Sequence, residues 1–175
     1  MARDASWLVG HLRDIPDFPQ PGIVFKDLTP LLADVDAFRY SVDAIADHAA
    51  GLTVDRVVGI EARGFIFGAA VAYRLGAGFV PVRKPGKLPF RTVSQHYELE
   101  YGVDALEAHE DAVLAGDSVL IVDDVLATGG TAGAACRLVE RLGGRVAGLA
   151  FVVELGFLGG RARLANHDIL SLITV

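Results

Sequence analysis

The sequence contains one cysteine, Cys136, one methionine and one tryptophan among its 175 residues. A lone cysteine excludes a disulfide framework and a CxxC metal site. Long apolar runs are missing as well. The longest stretch without Asp, Glu, Lys or Arg is the twelve residues 125–136, which include Thr128, Gly129, Gly130, Thr131 and Gly133. No segment of roughly 20 apolar residues is therefore available to span a bilayer. The first residues, Met1, Ala2, Arg3 and Asp4, lack the apolar core of a signal peptide. Positive charge is in deficit, with 16 Lys and Arg against 22 Asp and Glu and a net charge of −6. That balance argues against a nucleic-acid binder of the generally basic kind. The expectation is a soluble, cytoplasmic protein with neither membrane nor nucleic acid as partner.

What is present points to one folded domain. Hydrophobic residues make up 52% of the chain and mean hydropathy is +0.41, which excludes disorder. A chain of this length buries about 70% of its unfolded surface and matches one domain. The scarce basic residues are clustered: Arg83, Lys84, Lys87 and Arg91 fall within nine positions, with no acidic residue among them. In a net-acidic chain this points to a small anionic ligand.

Residues 34–50 predict an amphipathic helix, with Phe38, Val42, Ile45 and Ala49 on one face and Asp34 or Asp36 as cap. Strands are predicted over 56–61, 79–82, 117–124, 146–153 and 169–175, and helices over 64–75, 131–142 and 157–165. Strands that alternate with helices and carry continuous apolar runs indicate an α/β fold, a mostly parallel twisted sheet flanked by helices. Two stretches break the alternation. The N-terminus to Leu32 carries Pro16, Pro19, Pro21, Gly22 and Pro30; residues 84–102 open with Pro85, Gly86 and Pro89 and read as a loop leading to a hairpin around 97–101. In an open parallel sheet a ligand sits at the carboxyl ends of the strands, where the loops after Glu61, Val82 and Asp124 gather.

The strongest chemical signal is VLIVDDVLATGGT, residues 119–131. Gly129 and Gly130 remove the Cβ atoms that would block an anion from backbone N–H groups opening a helix, and Thr128 and Thr131 add hydroxyl donors. Asp123 and Asp124, at the end of a buried strand, are placed to accept bonds from sugar hydroxyls or to hold Mg²⁺ through water. The pattern is neither a Walker A loop nor a GxGxxG fingerprint.

VDDVLATGGT resembles the phosphoribosyl pyrophosphate (PRPP) loop of the type I phosphoribosyltransferases. FPQPGIVFKDLTP at 18–30, EARGFIF at 61–67 with VRKPGKLP at 82–89, and YELEYG at 97–102 narrow the resemblance to the adenine phosphoribosyltransferase branch. The resemblance implies the type I phosphoribosyltransferase fold, as one structural domain. Residues 1–33 would form a small N-terminal hood for base recognition, and residues 34–175 a PRPP-binding core that includes a flexible loop at 84–102. It implies a pentosyltransferase of purine salvage that joins N9 of adenine to C1 of PRPP, giving AMP and pyrophosphate, and that works as a homodimer.

By the same resemblance Ala127, Thr128, Gly129, Gly130 and Thr131 take the 5-phosphate, and Asp123 and Asp124 the ribose. Ala62, Arg63, Arg83, Lys84 and Lys87 take pyrophosphate, with Arg63 also catalytic and a non-proline cis peptide at Ala62–Arg63. Mg²⁺ arrives with PRPP, held mainly by it and by water near Asp123 and Asp124. Val24, Phe25 and Lys26 recognise adenine, Phe25 by stacking and its neighbours through their backbone. Glu100 is implied as the acid/base group; Glu98, two residues away and on the same face of a strand, is not separated from it by the residues alone. A phosphoribosyltransferase for xanthine, guanine or orotate, or a non-catalytic PRPP-sensing purine regulator, remains as the alternative. The adenine-type hood and loop speak against the first, and the presence of Arg63, Glu100, Asp123 and Asp124 against the second.

Overall fold

The computed structural model describes residues 5–98 and 103–175, with the side chain of Glu98 not included. A 3-10 turn, Ala5–His11, is followed by β1 (Arg13–Pro16) and β2 (Val24–Asp27), which pair antiparallel with Asp14 opposite Lys26 and Ile15 opposite Phe25. The prolines of this segment thus permit a small hairpin, and only a five-residue helix, α1 (Thr29–Ala33), follows it. Helix α2 (Val35–Ala49) starts where the Asp34 carboxylate accepts bonds from the N–H groups of Asp36 and Ala37. Its buried face carries Ala37, Val42, Ile45 and Ala49.

The remaining elements build the main layer. They are β3 (Arg56–Ile60), α3 (Gly64–Leu75), β4 (Gly78–Val82), the hairpin strands β5 (Thr92–Glu98) and β6 (Val103–His109), β7 (Ser118–Leu126), α4 (Gly130–Arg141), β8 (Arg145–Glu154), the short α5 (Gly160–Arg163) and β9 (Ile169–Thr174). Five strands form a parallel sheet in the order β4-β3-β7-β8-β9. Because successive strand residues face opposite sides, Val57, Leu120, Val122 and Val152 pack toward α2 and α3. Val58, Ile121, Leu149 and Phe151 pack on the other side, toward α4 and the β5–β6 hairpin. Burial on both faces explains why these strands read as continuous apolar runs.

Three expectations are corrected. No continuous helix spans 157–165: a 3-10 turn (Gly156–Leu158) and α5 are separated by Gly159, whose φ of +67° is left-handed and breaks the helix. The hairpin foreseen around 97–101 is much longer, with strand pairing from Thr92 opposite His109 to Glu98 opposite Val103. The cis peptide lies one bond earlier than expected, at Glu61–Ala62.

Candidate active site

The sheet positions the site through unequal strand lengths. Pairing of β3 with β7 ends at Gly59 opposite Val122, whereas β7 continues beside β8 as far as Leu126 opposite Glu154. Asp123 and Asp124 therefore lie within β7 but past its last β3 partner, where one side of the strand faces a cavity of about 630 Å³. Val24, Phe25 and Lys26 line this cavity from the N-terminal hairpin, and Ala62, Arg63 and Lys84 from the turns after β3 and β4. Asp123, Asp124, Ala127 and Thr131 complete it along β7 and the following loop. Four segments that are far apart in sequence thus meet around one space.

Arg63 spans it. Its Nε lies 2.6 Å from Oδ2 of Asp124, and its guanidinium carbon lies 5.0 Å from the centre of the Phe25 ring. The contact with Asp124 is an ion pair without hydrogen-bond alignment. Phe25 in turn meets Phe18 edge to face at 5.2 Å. The Lys26 ammonium is committed to Asp14 at 2.6 Å. Burial raises the pKa of Asp123, and the neighbouring charge of Asp124 raises it further. Burial also raises that of Asp124, against the opposing pull of Arg63. Asp123 Oδ1 accepts the Asp124 N–H at 2.9 Å. A Cβ on Gly64 would come within 2.6 Å of that same oxygen, so glycine at the start of α3 leaves room for the carboxylate.

The loop 127–131 encloses a hollow of about 80 Å³, floored by Asp123 and Phe151. Gly129 has φ +79°, a left-handed conformation suited to glycine, and α4 begins next to it with neither a side-chain cap nor an acidic residue in its first turn. Its first N–H groups thus point at an end of the helix that favours an anion. The loop rests on the backbone of Gly160: a Cβ at Gly129 would stand 2.7 Å from Gly160 O, and one at Gly160 would collide with Ala127 O.

The basic turn divides its residues. Lys84 lines the cavity, while Arg83 and Lys87 are outside its lining. Arg83 Nε donates to Glu61 Oε2 at 3.2 Å, and the Lys84 N–H donates to the same oxygen at 2.9 Å. The Lys84 N–H, aided by Arg83, lowers the pKa of Glu61. Glu61 carried no signal beyond its place at the end of a buried strand. Val125 and Leu155, which also line the cavity, and the supporting Gly159–Gly160 pair are likewise invisible without the fold. Glu100 lies outside the described residues. A separate groove of about 690 Å³, lined by Trp7, Asp36, Arg39, Tyr40 and Asp43, holds none of the sequence-predicted site residues.

Among the described residues no three His, Cys, Asp or Glu side chains gather into a metal-binding group. Two carboxylates, one paired with Arg63, fit Mg²⁺ that brings phosphate oxygens and waters as its main ligands, since this ion keeps several waters and takes few protein carboxylates beside substrate phosphates. No helix among the described residues is long and apolar enough to cross a membrane.

Residues 30–168 match the model of the phosphoribosyl transferase domain. The adenine phosphoribosyltransferase of Thermotoga neapolitana is 62% identical over 162 residues, 93% of this chain and 95% of that protein. The crystal structure of adenine phosphoribosyltransferase from Thermoanaerobacter pseudethanolicus superposes with a TM-score of 0.95 at 56% identity, covering 98% of this chain and 99% of the other. That of the Saccharomyces cerevisiae enzyme, complexed with D-2,5-dideoxy-2,5-imino-altritol 1,6-bisphosphate and adenine, gives 0.92 at 43% identity, over 98% and 99% of the two chains. With the PRPP-type loop, the paired carboxylates and the hood all on one cavity, the chain belongs to the phosphoribosyl transferase domain family and, within it, to the adenine phosphoribosyltransferases.

Proposed function

We propose that the chain transfers the 5-phosphoribosyl group of PRPP to N9 of adenine, releasing pyrophosphate and forming AMP in purine salvage. The observation that carries this reading is the single cavity on which hood, arginine turn, carboxylate pair and the two ends of the glycine loop, Ala127 and Thr131, converge, with the loop's own hollow beside it. The N9 lone pair forms the new bond to C1 as the C1–O bond breaks, and its electron pair leaves with pyrophosphate. Positive charge grows on the ribose in the transition state, so groups pre-set for charge are what catalysis needs.

Ala127–Thr131 hold the 5-phosphate on backbone N–H groups. Asp123 and Asp124 accept bonds from the ribose hydroxyls and face the growing positive charge. Arg63, now held on Asp124, turns to pyrophosphate with the Ala62–Arg63 backbone and Lys84, while Arg83 and Lys87 add to the positive field from just outside the cavity. Asp123 and Asp124 would hold Mg²⁺ through water, and the ion would supply neutralisation of the pyrophosphate charge. Phe25 stacks on adenine. A backbone N–H and C=O at Val24 and Lys26 meet N1 and the 6-amino group, an edge that hypoxanthine reverses; a mismatched pair costs about 1–3 kcal/mol per unpaired group. Glu100, assigned by the family resemblance, takes the proton that the purine sheds.

The enzyme works in the cytoplasm as a homodimer. Support for self-association comes from α3, whose outward face presents Ile66, Ala69 and Tyr73, the last 91% exposed, beside Phe79 on the edge strand β4. An apolar stripe of this kind beside a sheet edge fits burial against a second copy. Light scattering should give twice the 18.5 kDa chain mass; a species of the single mass at working concentration contradicts the dimer. The catalytic reading is tested by supplying PRPP, Mg²⁺ and adenine. AMP and pyrophosphate should appear in equal amounts, and absence of both contradicts it.

A further inference from the structure

Lys84 is the one basic-turn side chain on the cavity wall, yet its ammonium is held from the neighbouring hairpin. It bonds to Asp104 Oδ2 and to the Tyr97 hydroxyl at 3.0 Å, and lies 5.5 Å from the centre of the Tyr97 ring. Tyr97 and Asp104 are direct cross-strand partners in β5 and β6, and the Tyr97 hydroxyl also donates to Asp104 at 3.2 Å. Asp104 Oδ1 accepts the Ala105 N–H at 2.8 Å, which fixes the carboxylate. The hairpin is tied to the same turn at its base. Arg83 and Glu107 exchange two backbone bonds of 2.9 and 2.7 Å, and the Gly86 N–H donates to the Glu107 carboxylate at 3.1 Å. Turn and stem therefore form one unit, with the Lys84 ammonium as the tie on the cavity side.

Two physical points show what Asp104 is for. The pair is half-exposed, 39% at Lys84 and 28% at Asp104, and ion pairs in that setting contribute little stability. A carboxylate beside a cation meant for pyrophosphate also weakens the field felt by that anion. What Asp104 supplies is position: a lysine ammonium on a flexible four-carbon stem has no fixed place without a partner. We propose that Asp104 is a positioning residue for the transfer reaction. Acting through Lys84, it holds the ammonium at the pyrophosphate end of the cavity and keeps the β5–β6 stem in register with the basic turn. The partial burial of Lys84 would lower its pKa, but the bonds to Asp104 and Tyr97 outweigh this and raise it, so the tie is charged at working pH. The proposal rests on the assignment of this cavity to PRPP.

The test is a double-mutant cycle of Asp104→Asn and Lys84→Met in the full chain. Asp104→Asn should lower kcat about tenfold, the scale of one charge-assisted bond, while KM for PRPP does not rise and Tm shifts by no more than about 2 °C. In the Lys84→Met background the same substitution should change kcat by less than about twofold, because the partner through which it acts is gone. Tyr97→Phe, which keeps the ring, should lower kcat in the same direction and also lose its effect beside Lys84→Met. Wild-type kcat in Asp104→Asn, a tenfold loss that persists beside Lys84→Met, or a rise in KM at constant kcat would each overturn the proposal. Should Asp104→Asn fail to fold, the Tyr97→Phe pair decides alone. Inactivity of the wild-type chain with adenine and PRPP would instead contradict the catalytic reading.

Discussion

Asp123 is buried beside a second carboxylate, a placement that costs stability. Burial and the adjacent Asp124 raise its pKa above the carboxylate norm, so the folded chain holds this proton to higher pH than the unfolded chain. Stability therefore falls as pH rises from the unfolded value through the raised one, and the full penalty applies above it. Asp123→Asn keeps an oxygen to accept the Asp124 N–H and removes the charge. Its Tm should rise by about 3–6 °C at pH 8, for relief of about 1–2 kcal/mol, and the gain should shrink toward pH 4. Binding of AMP should weaken at least about tenfold as the charged acceptor for the ribose is lost. An unchanged Tm with unchanged AMP binding would contradict both halves. Asp123, Asp124 and Gly129 were legible in the sequence because paired acids and paired glycines at a strand-to-helix turn have few structural uses. Glu61 and Asp104 were not, because their partners lie 23 and 20 residues away and meet them only after β4 and the hairpin have docked.

At the level of elements, the glycine loop 127–131 rests on a second turn that no local pattern connects to it. Gly160 lies against Ala127 and Gly129 so closely that any Cβ must displace the loop. Gly160→Ala should cut kcat/KM for PRPP by more than about tenfold and cost about 1–3 kcal/mol of stability through overpacking. The control is Gly133→Ala in α4, where a Cβ would meet only side-chain atoms at 3.5 Å and beyond; activity near wild type is expected there. Full activity in Gly160→Ala would remove the loop's dependence on this contact. The parallel strands were readable because burial on both faces writes an unbroken apolar run such as Val119–Val122. Strand β6 was not: its sequence VDALEAH buries only Ala105, Leu106 and Ala108, a pattern as compatible with a helix as with a strand. The 157–165 segment failed for a related reason, since its apolar content fits a helix while Gly159 adopts a left-handed φ.

For the whole molecule, the decisive feature is that the N-terminal hairpin, which lies outside the main sheet, contributes the wall opposite the carboxylates of β7. In the proposed reading that arrangement puts the adenine and ribose-phosphate subsites on one cavity and assigns selection among bases to the backbone of Val24 and Lys26. The most direct test supplies the purified chain with PRPP and Mg²⁺ together with adenine, hypoxanthine, guanine, xanthine or orotate, following nucleotide and pyrophosphate in the same sample. AMP and pyrophosphate formed one for one from adenine, with hypoxanthine turned over at least about tenfold less well for one mismatched buried group, is the predicted result. Equal use of hypoxanthine, or no product from any base while PRPP still binds, would contradict it.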